Sequence, residues 1–410
     1  MYTGYRVTLL LLCTTFVSVG LVVASLGPAL PELARQTDKT LAQLGTLFIA
    51  LFGGGLLAQS LSGILADRFG RRIVLVIAAA MFGLSALAMS VSTRLPLLLI
   101  FAITMGLGYG GISLSVNVLS SEIAPERRAS TVNFTNVFFG AGAIAGPLLA
   151  GLALEWWGTP IPALQIGAAL ALIVSPAAAF VDMPASATAT RGTRASSTST
   201  TPAREVREVG EVTRSAAATV SDAASSAFAW SCAFIVMLYA GSEASVGNWT
   251  PVYLERTTRL DAVQAAAITS TFWAALCAGR IVAAVAGLRM SADRLLTVSY
   301  GAAAVGAVLV FAGHGTVWPT VIGLTVLGFA FGPLYPTMMA VVTAASPQAA
   351  GAAASRIGAL ASIGGMILPS LHGFLIARIG TFTSAAVTAV IVMSMFLGWM
   401  AIRRRFGVHF

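Results

Sequence analysis

Apolar residues run along this chain in stretches of about twenty or more, separated by short polar breaks, and each stretch is long enough for a helix to cross the hydrocarbon core of a bilayer. Twelve such helices are predicted, near residues 7–30, 41–62, 73–92, 96–120, 131–153, 162–182, 228–253, 263–286, 295–313, 316–344, 354–377 and 381–402. The first run follows a lone Arg6, as a secretory signal would, but it is too long for one and further spans follow, so an uncleaved first helix is expected. Between the sixth and seventh runs, residues 184–227 turn to Ser, Thr, Ala, Arg and Glu. So few large apolar side chains cannot offset the entropy of ordering, which predicts a flexible linker. The expected organisation is a bundle over 1–183, the linker, and a second bundle over 228–410.

Composition agrees with the pattern. Of 410 residues, 57% are hydrophobic and 10% charged, with a mean hydropathy of +0.87, against about 25% charged in soluble domains. A water-soluble globular protein is excluded. Twelve spans of about 20 residues take roughly 240 positions and leave the rest for loops. The net charge of +9 does not point to nucleic acid, because the basic residues sit in short runs between apolar segments and form no single stripe. Seventeen arginines fall on the side of the N-terminus and the linker and six basic residues on the other, with Arg356 unassigned. The positive-inside rule then places both termini and the linker in the cytoplasm, and a bacterial inner membrane is the expected address. Six of the seven tryptophans lie near predicted helix ends, as interfacial anchors should, and Trp273 is the exception. Cys13, Cys232 and Cys277 lie far apart inside apolar runs and form no disulfide or metal pattern.

The chain repeats itself. A shift of 222 lays Gly106, Gly110, Pro125, Gly142, Pro147 and Gly151 onto Gly328, Gly332, Pro347, Gly364, Pro369 and Gly373, and a shift of 223 lays Pro28 and Glu32 onto Pro251 and Glu255. Two parallel halves around a midplane cavity are the plan of a secondary transporter.

The loop between the second and third helices reads Gly63-Ile-Leu-Ala-Asp67-Arg68-Phe-Gly70-Arg71-Arg72. It resembles the signature loop of the major facilitator superfamily, G-x-L-x-D-R-x-G-R-R, at the same place between the same two helices. Gly63 allows a close helix approach and Gly70 a tight turn. The expected cytoplasmic gate comprises Gly63, Asp67, Arg68, Gly70, Arg71, Arg72, Arg128 and Arg280, with Asp67 pairing loop arginines and facing a helix N-terminus; a purely topological role for the arginines stays open. The equivalent loop of the second half, Gly279-Arg280 through Gly287-Leu-Arg289-Met, lacks the Asp. In the fifth helix, Gly142 through Gly146-Pro147 to Gly151 resembles the superfamily's antiporter pattern, with Ala150 in place of one Gly, and simple helix packing explains it equally.

An ionisable group inside a membrane persists only with a partner, a cavity or a job. Glu243 lies near the middle of the seventh helix, in Tyr239-Ala-Gly241-Ser-Glu243-Ala-Ser-Val-Gly247-Asn248-Trp249. It is expected to bind a proton or a substrate hydroxyl, the competing reading being a permanent ion pair with Arg280. This segment, with Asn117, Asn133, Asn136 and the run from Gly332-Pro333 to Tyr335-Pro336, narrows the resemblance to the fucose permease and sodium-dependent glucose transporter branch. The proton-coupling carboxylates that fucose permeases carry in the first and fourth helices have no counterpart here: the first helix has no acid before Glu32, and Ser113 stands at the other place.

Sugar recognition requires amides and hydroxyls for hydrogen bonds and aromatic faces for the ring. The expected substrate set is Asn117, Asn133, Asn136, Gln165, Asn248, Tyr239, Tyr335 and Trp273, with Tyr109, and Gln59 nearer the gate. His372 reads as a packed neutral side chain. H-E-x-x-H and G-x-x-x-x-G-K-[ST] are both absent, which argues against a metalloenzyme and an ATP-driven pump. The reading is an all-α, twelve-helix secondary carrier of a small polar solute, a sugar first, coupled to protons or sodium. It is expected to act as a monomer in the lipid bilayer, without cofactor or metal. The alternative is a proton-coupled drug or metabolite efflux antiporter.

Overall fold

In hydrocarbon every backbone N–H and C=O must be satisfied within its own segment, which leaves the helix as the form for long apolar runs. The computed structural model describes residues 3–123, 128–181, 211–345 and 349–407; the side chains at 3–4, 60, 62–64, 67, 128–130 and 211–226 lie outside that description. The helices are α1 (Thr3–Thr37), α2 (Leu41–Leu44), α3 (Thr46–Phe69), α4 (Arg71–Ser90), α5 (Leu95–Ile123), α6 (Arg128–Trp157), α7 (Ile161–Phe180), α8 (Glu211–Thr257), α9 (Ala262–Ala286), α10 (Ala292–Ala312), α11 (Val317–Phe331), α12 (Leu334–Ala345), α13 (Ala350–Arg378) and α14 (Thr381–Phe406). Twelve spans long and apolar enough to cross a membrane result, the second beginning with α2 and the tenth made of α11 and α12 together.

Local chemistry sets the breaks. Thr40 and Gln43 form a capping box at the start of the second span, and Asp261 and Gln264 form one at the start of the eighth, so equivalent places in the two halves carry the same N-terminal device. Gly70 separates α3 from α4 at φ 86, a left-handed conformation that costs glycine nothing. One expectation changes: α8 begins at Glu211, inside the segment read as a flexible linker. The stretch holds Ala216-Ala217-Ala218 and Ala223-Ala224, and alanine's helix propensity lets the seventh span extend below its apolar part. Residues 182–210 of that segment lie outside the described residues.

The two halves repeat one packing scheme. In the first, α1 packs on α6 and α7, α3 on α5, and α4 on α5 and α7; in the second, α8 packs on α13 and α14, α9 on α11, and α10 on α11 and α14. The repeated glycines explain why. A Cβ at Gly142 would run into the Val17 carbonyl of α1, and one at Gly364 into the Met237 carbonyl of α8. Both crossings need the backbones in contact. Replacing Gly364 by Leu is therefore expected to cost about 1–3 kcal/mol through overpacking, read as a lower thermal unfolding midpoint in detergent.

Large apolar side chains such as Leu10, Leu57, Ile77, Leu84, Ile103, Val298 and Ile322 point outward, where lipid covers them. Trp156, Trp157, Trp230 and Trp318 are exposed, as interfacial anchors should be, but Trp249 and Trp399 are buried. Those two depart from the expectation because each indole N–H has a partner inside the protein: Trp249 donates to the Pro369 carbonyl at 2.8 Å and Trp399 to Thr297 at 3.0 Å.

Cross-half packing lies between α1 and α8, α2 and α13, α3 and α13, and α6 and α9. Gly27 meets the Asn248 backbone, Ser370 bonds the Gly45 carbonyl at 2.8 Å, and Trp249 packs on Phe48 with ring centroids 6.2 Å apart. These contacts sit at the end opposite the 63–72 loop. Toward that loop, among the described residues, Gln59 bonds Ser362 at 3.4 Å and Gly140 lies against Cys277, and no comparable packing joins α5 to α12. Among the described residues, the backbone contacts between the halves concentrate at the far end.

An ion pair ties α10 to α14 in the second half. Asp293, 4% exposed in the first turn of α10, accepts from Arg403 of α14 at 2.9 Å. Arg403→Ala strands a buried carboxylate and is expected to cost about 3 kcal/mol, eased by the α10 N-terminus. Asp293→Ala leaves a partly exposed guanidinium that reaches water, so its cost in chemical unfolding should be clearly smaller.

Candidate functional site

Tyr239 and Glu243 are one turn apart on α8 and share a face, and the Tyr239 hydroxyl donates to Glu243 Oε2. The other carboxylate oxygen lies 4.0 Å from Arg280 Nη2 of α9. Arg280 reaches this depth because α9 and the α11–α12 junction touch through glycines: a Cβ on Gly279 would meet the Phe329 carbonyl, and one on Gly332 the Arg280 amide. Tyr335 of α12 and Tyr109 of α5 complete the cluster, both within electrostatic reach of Glu243. Side-chain exposure is 18% for Glu243 and 32% for Arg280, so neither group is fully sealed by its neighbours. The result is one acid and one base, with Tyr239 in hydrogen-bond contact and two further phenols, one from each half, in the surroundings.

The other expected binding residues go elsewhere. Asn136 donates to Asn117 Oδ1 at 3.0 Å and to its own helix at Val132, and Asn117 bonds the Ser113 carbonyl, so these amides join α5 to α6. Asn133 is exposed beside them. Gln165 bonds Ser90 inside the first half, at 3.2 Å. Asn248 is buried in the far-end seal, with its amide on the Ala244 carbonyl. Trp273 is buried against Phe272 and Gly247. For Asn117, Asn136 and Gln165 the cause is common: a long apolar helix buries a polar side chain at least cost with a partner, and the neighbouring helix or the preceding turn supplies it. His372 is buried with its ring nitrogens on the Leu368 carbonyl and the Thr388 hydroxyl, a packing role as expected.

The gate set is rearranged as well. Arg280, grouped with the gate by its position in the sequence, lies 4.0 Å from Glu243, its long side chain spanning the depth between them. Arg71 pairs with Glu122 of α5, and Arg72 donates to the Ala178 carbonyl of α7 at 3.1 Å, so both are tied within the first half. Arg68 lies over the Phe69 ring. The side chains at Asp67, Gly63 and Arg128 lie outside the described residues. Glu122 went unnoticed in the sequence, where it sits at a helix end like any interfacial charge. Gly142 and Gly146 of the fifth-helix pattern both face α1, which accounts for them by packing.

The Major Facilitator Superfamily profile matches residues 11–369 and again 232–408. The 4-hydroxybenzoate transporter PcaK of Acinetobacter baylyi is 34% identical over 153 residues, 37% of this chain and 33% of that protein. The arabinose-proton symporter of Bacillus subtilis is 35% identical over 116 residues, 28% of this chain and 25% of that protein. The chain thus spans about a third of the length of the curated relatives it matches. Among solved structures, the partially occluded, inward-open xylose transporter XylE of E. coli superposes with a TM-score of 0.75 at 14% identity, covering 97% of each chain.

Proposed function

Since this chain belongs to the Major Facilitator Superfamily, we propose that it is a secondary active carrier of a small hydroxylated organic solute, of the sugar class, bound between the two halves at Glu243, Arg280, Tyr239, Tyr109 and Tyr335. The observation that carries this reading is the loose Glu243–Arg280 pair, 4.0 Å apart and only partly buried, in the middle of the spans. A carboxylate accepts from vicinal hydroxyls, a guanidinium donates to them, and phenol faces cover the apolar side of a ring. A neutral pair accepts a solute without burying net charge.

The Tyr239–Trp249 segment supports kinship with the fucose permease and sodium-dependent glucose transporter branch, and the names of the matched relatives span hydroxylated aromatic acids and pentoses. Glu243 serves as the coupling group, with a proton as the coupling ion in preference to sodium. The carrier works as a monomer in a bacterial inner membrane, with both termini and the linker in the cytoplasm, and the side of the 63–72 loop faces the cytoplasm. Residues 1–183 and 228–410 rock as two bodies, and Asp67, with Gly63, Arg68 and Arg128, latches that side when it closes. Reconstitution into proteoliposomes tests this: saturable counterflow of at least one member of a panel of pentoses, hexoses, uronates and hydroxybenzoates is expected, and a lack of counterflow across the panel refutes it.

A further inference from the structure

Arg280 has more hydrogen-bonding capacity than the protein uses. It hydrogen-bonds the Tyr239 hydroxyl oxygen, and its contact with Glu243 is at the outer limit of an ion pair, 4.0 Å. Its Nε is buried with no partner. Glu243, meanwhile, has a second partner of its own in the Tyr239 hydroxyl. A guanidinium presents five donors in a planar fork suited to two carboxylate oxygens, and here Tyr239 and the distant Glu243 fill only part of it, with Nε left over. Leaving such donors unmet in a membrane interior is costly, and the arrangement persists where a ligand completes it.

We infer that Arg280 is a carboxylate receptor and that a hydroxylated organic acid displaces Glu243 from it, Glu243 taking up one proton as it leaves. This rests on the carrier reading above and names its substrate class. The charge balance is closed. Before binding, the site holds Arg280⁺ and Glu243⁻ and is neutral. Afterwards it holds Arg280⁺, the solute carboxylate and neutral Glu243, the proton coming from water and sitting on the Glu243 carboxyl, with Tyr239 beside it. Binding the anion without the proton would leave a net negative charge among the spans, which the low dielectric penalises. One proton therefore accompanies each anion, and no acid in the first or fourth helix is needed.

The groups that face Glu243 allow this exchange. They are Tyr239 on α8, Arg280 on α9, Tyr109 on α5 and Tyr335 on α12, with Cys277 of α9 further along. Among the other helices packed on α8, α1 carries Glu32 and Arg35, paired with each other at the far end, and Arg6 in its first turn at the other end. On α13 and α14, Arg356 lies on Trp230, His372 on Thr388, Arg403 on Asp293 and Arg405 on Phe406, while Arg378 and Arg404 stand in the last turns of their helices. Among the described residues, Arg280 is the cation in contact with Glu243.

Matched pairs test the idea: D-glucuronate against D-glucose, and 4-hydroxybenzoate against 4-hydroxybenzyl alcohol, with the full-length protein in nanodiscs and proteoliposomes. At least one acid is expected to bind about tenfold or more tightly than its uncharged partner, as a charge-assisted fork implies, and to take up one proton per molecule in weakly buffered solution. Arg280→Gln should erase the preference. Glu243→Gln should bind the acid with no proton uptake, a signature that loss of fold would not produce. If acid and alcohol bind and exchange equally, or the acid binds without taking up a proton, the exchange is overturned while the carrier reading stands. If no member of either pair shows counterflow or binding, the inference falls too, and only the wider panel then decides the carrier reading.

Discussion

Glu243→Gln is expected to abolish uphill accumulation while exchange of labelled for unlabelled solute continues. The amide is isosteric and keeps a hydrogen bond with Tyr239, so the cluster retains its shape, but it cannot release or accept the proton that links solute movement to the gradient. One proton per solute at a pH difference of one unit stores about 1.4 kcal/mol, and wild-type vesicles should therefore approach tenfold accumulation while the variant stays at equilibrium. Counterflow and pH-jump uptake measured on the same vesicles distinguish the two. If the variant still concentrates its solute, Glu243 is not the coupling group.

The second large effect concerns the seal at the far end. Gly27 lies against the backbone of Asn248, and a Cβ there would come within 2.7 Å of the Asn248 carbonyl. Gly27→Leu puts a whole side chain where two backbones meet, and neither partner is a flexible side chain that can move aside. The far-end contact should thus be penalised by about 1–3 kcal/mol, an amount that shifts a two-state balance of accessibility by about 5- to 150-fold. Spin labels at Val91 and Trp318, exposed positions in opposite halves at that end, should report a longer distance in Gly27→Leu than in the parent. Transport should fall because the carrier no longer completes its cycle, while binding at the central cluster survives. An unchanged distance distribution would mean that the Gly27–Asn248 contact does not hold the seal.

Much of the architecture was readable along the chain because hydrocarbon imposes a simple rule on it. Twelve apolar runs, the 222-residue repeat and the Gly70 turn all follow from span length, backbone satisfaction and the absence of a Cβ, and the structure has them where expected. The same rule located Glu243, since a carboxylate inside a span has few reasons to exist. What misled was depth. Arg280 lies near the cytoplasmic end of its span in sequence, so it was grouped with the gate, yet a guanidinium on a long stem acts several ångströms from its own Cα. Gln165, Asn248 and Trp273 had the right chemistry for a binding site and were placed in packing by their neighbours.

The sequence by itself thus determined the number of spans, their division into two related halves and the presence of one mid-membrane acid, because these depend on hydrophobicity and on residue types that membranes exclude. Only the tertiary structure decided that Tyr239 bonds Glu243 and that Arg280 stands 4.0 Å away with donors to spare. It also decided that Asn136 donates to Asn117 Oδ1, while the Asn117 N–H donates to the Ser113 carbonyl of its own helix. Which polar groups meet in the middle of a bundle is set by helix rotation and crossing. Those are fixed by glycine contacts such as Gly279 on Phe329 and Gly332 on Arg280, between residues far apart in the chain.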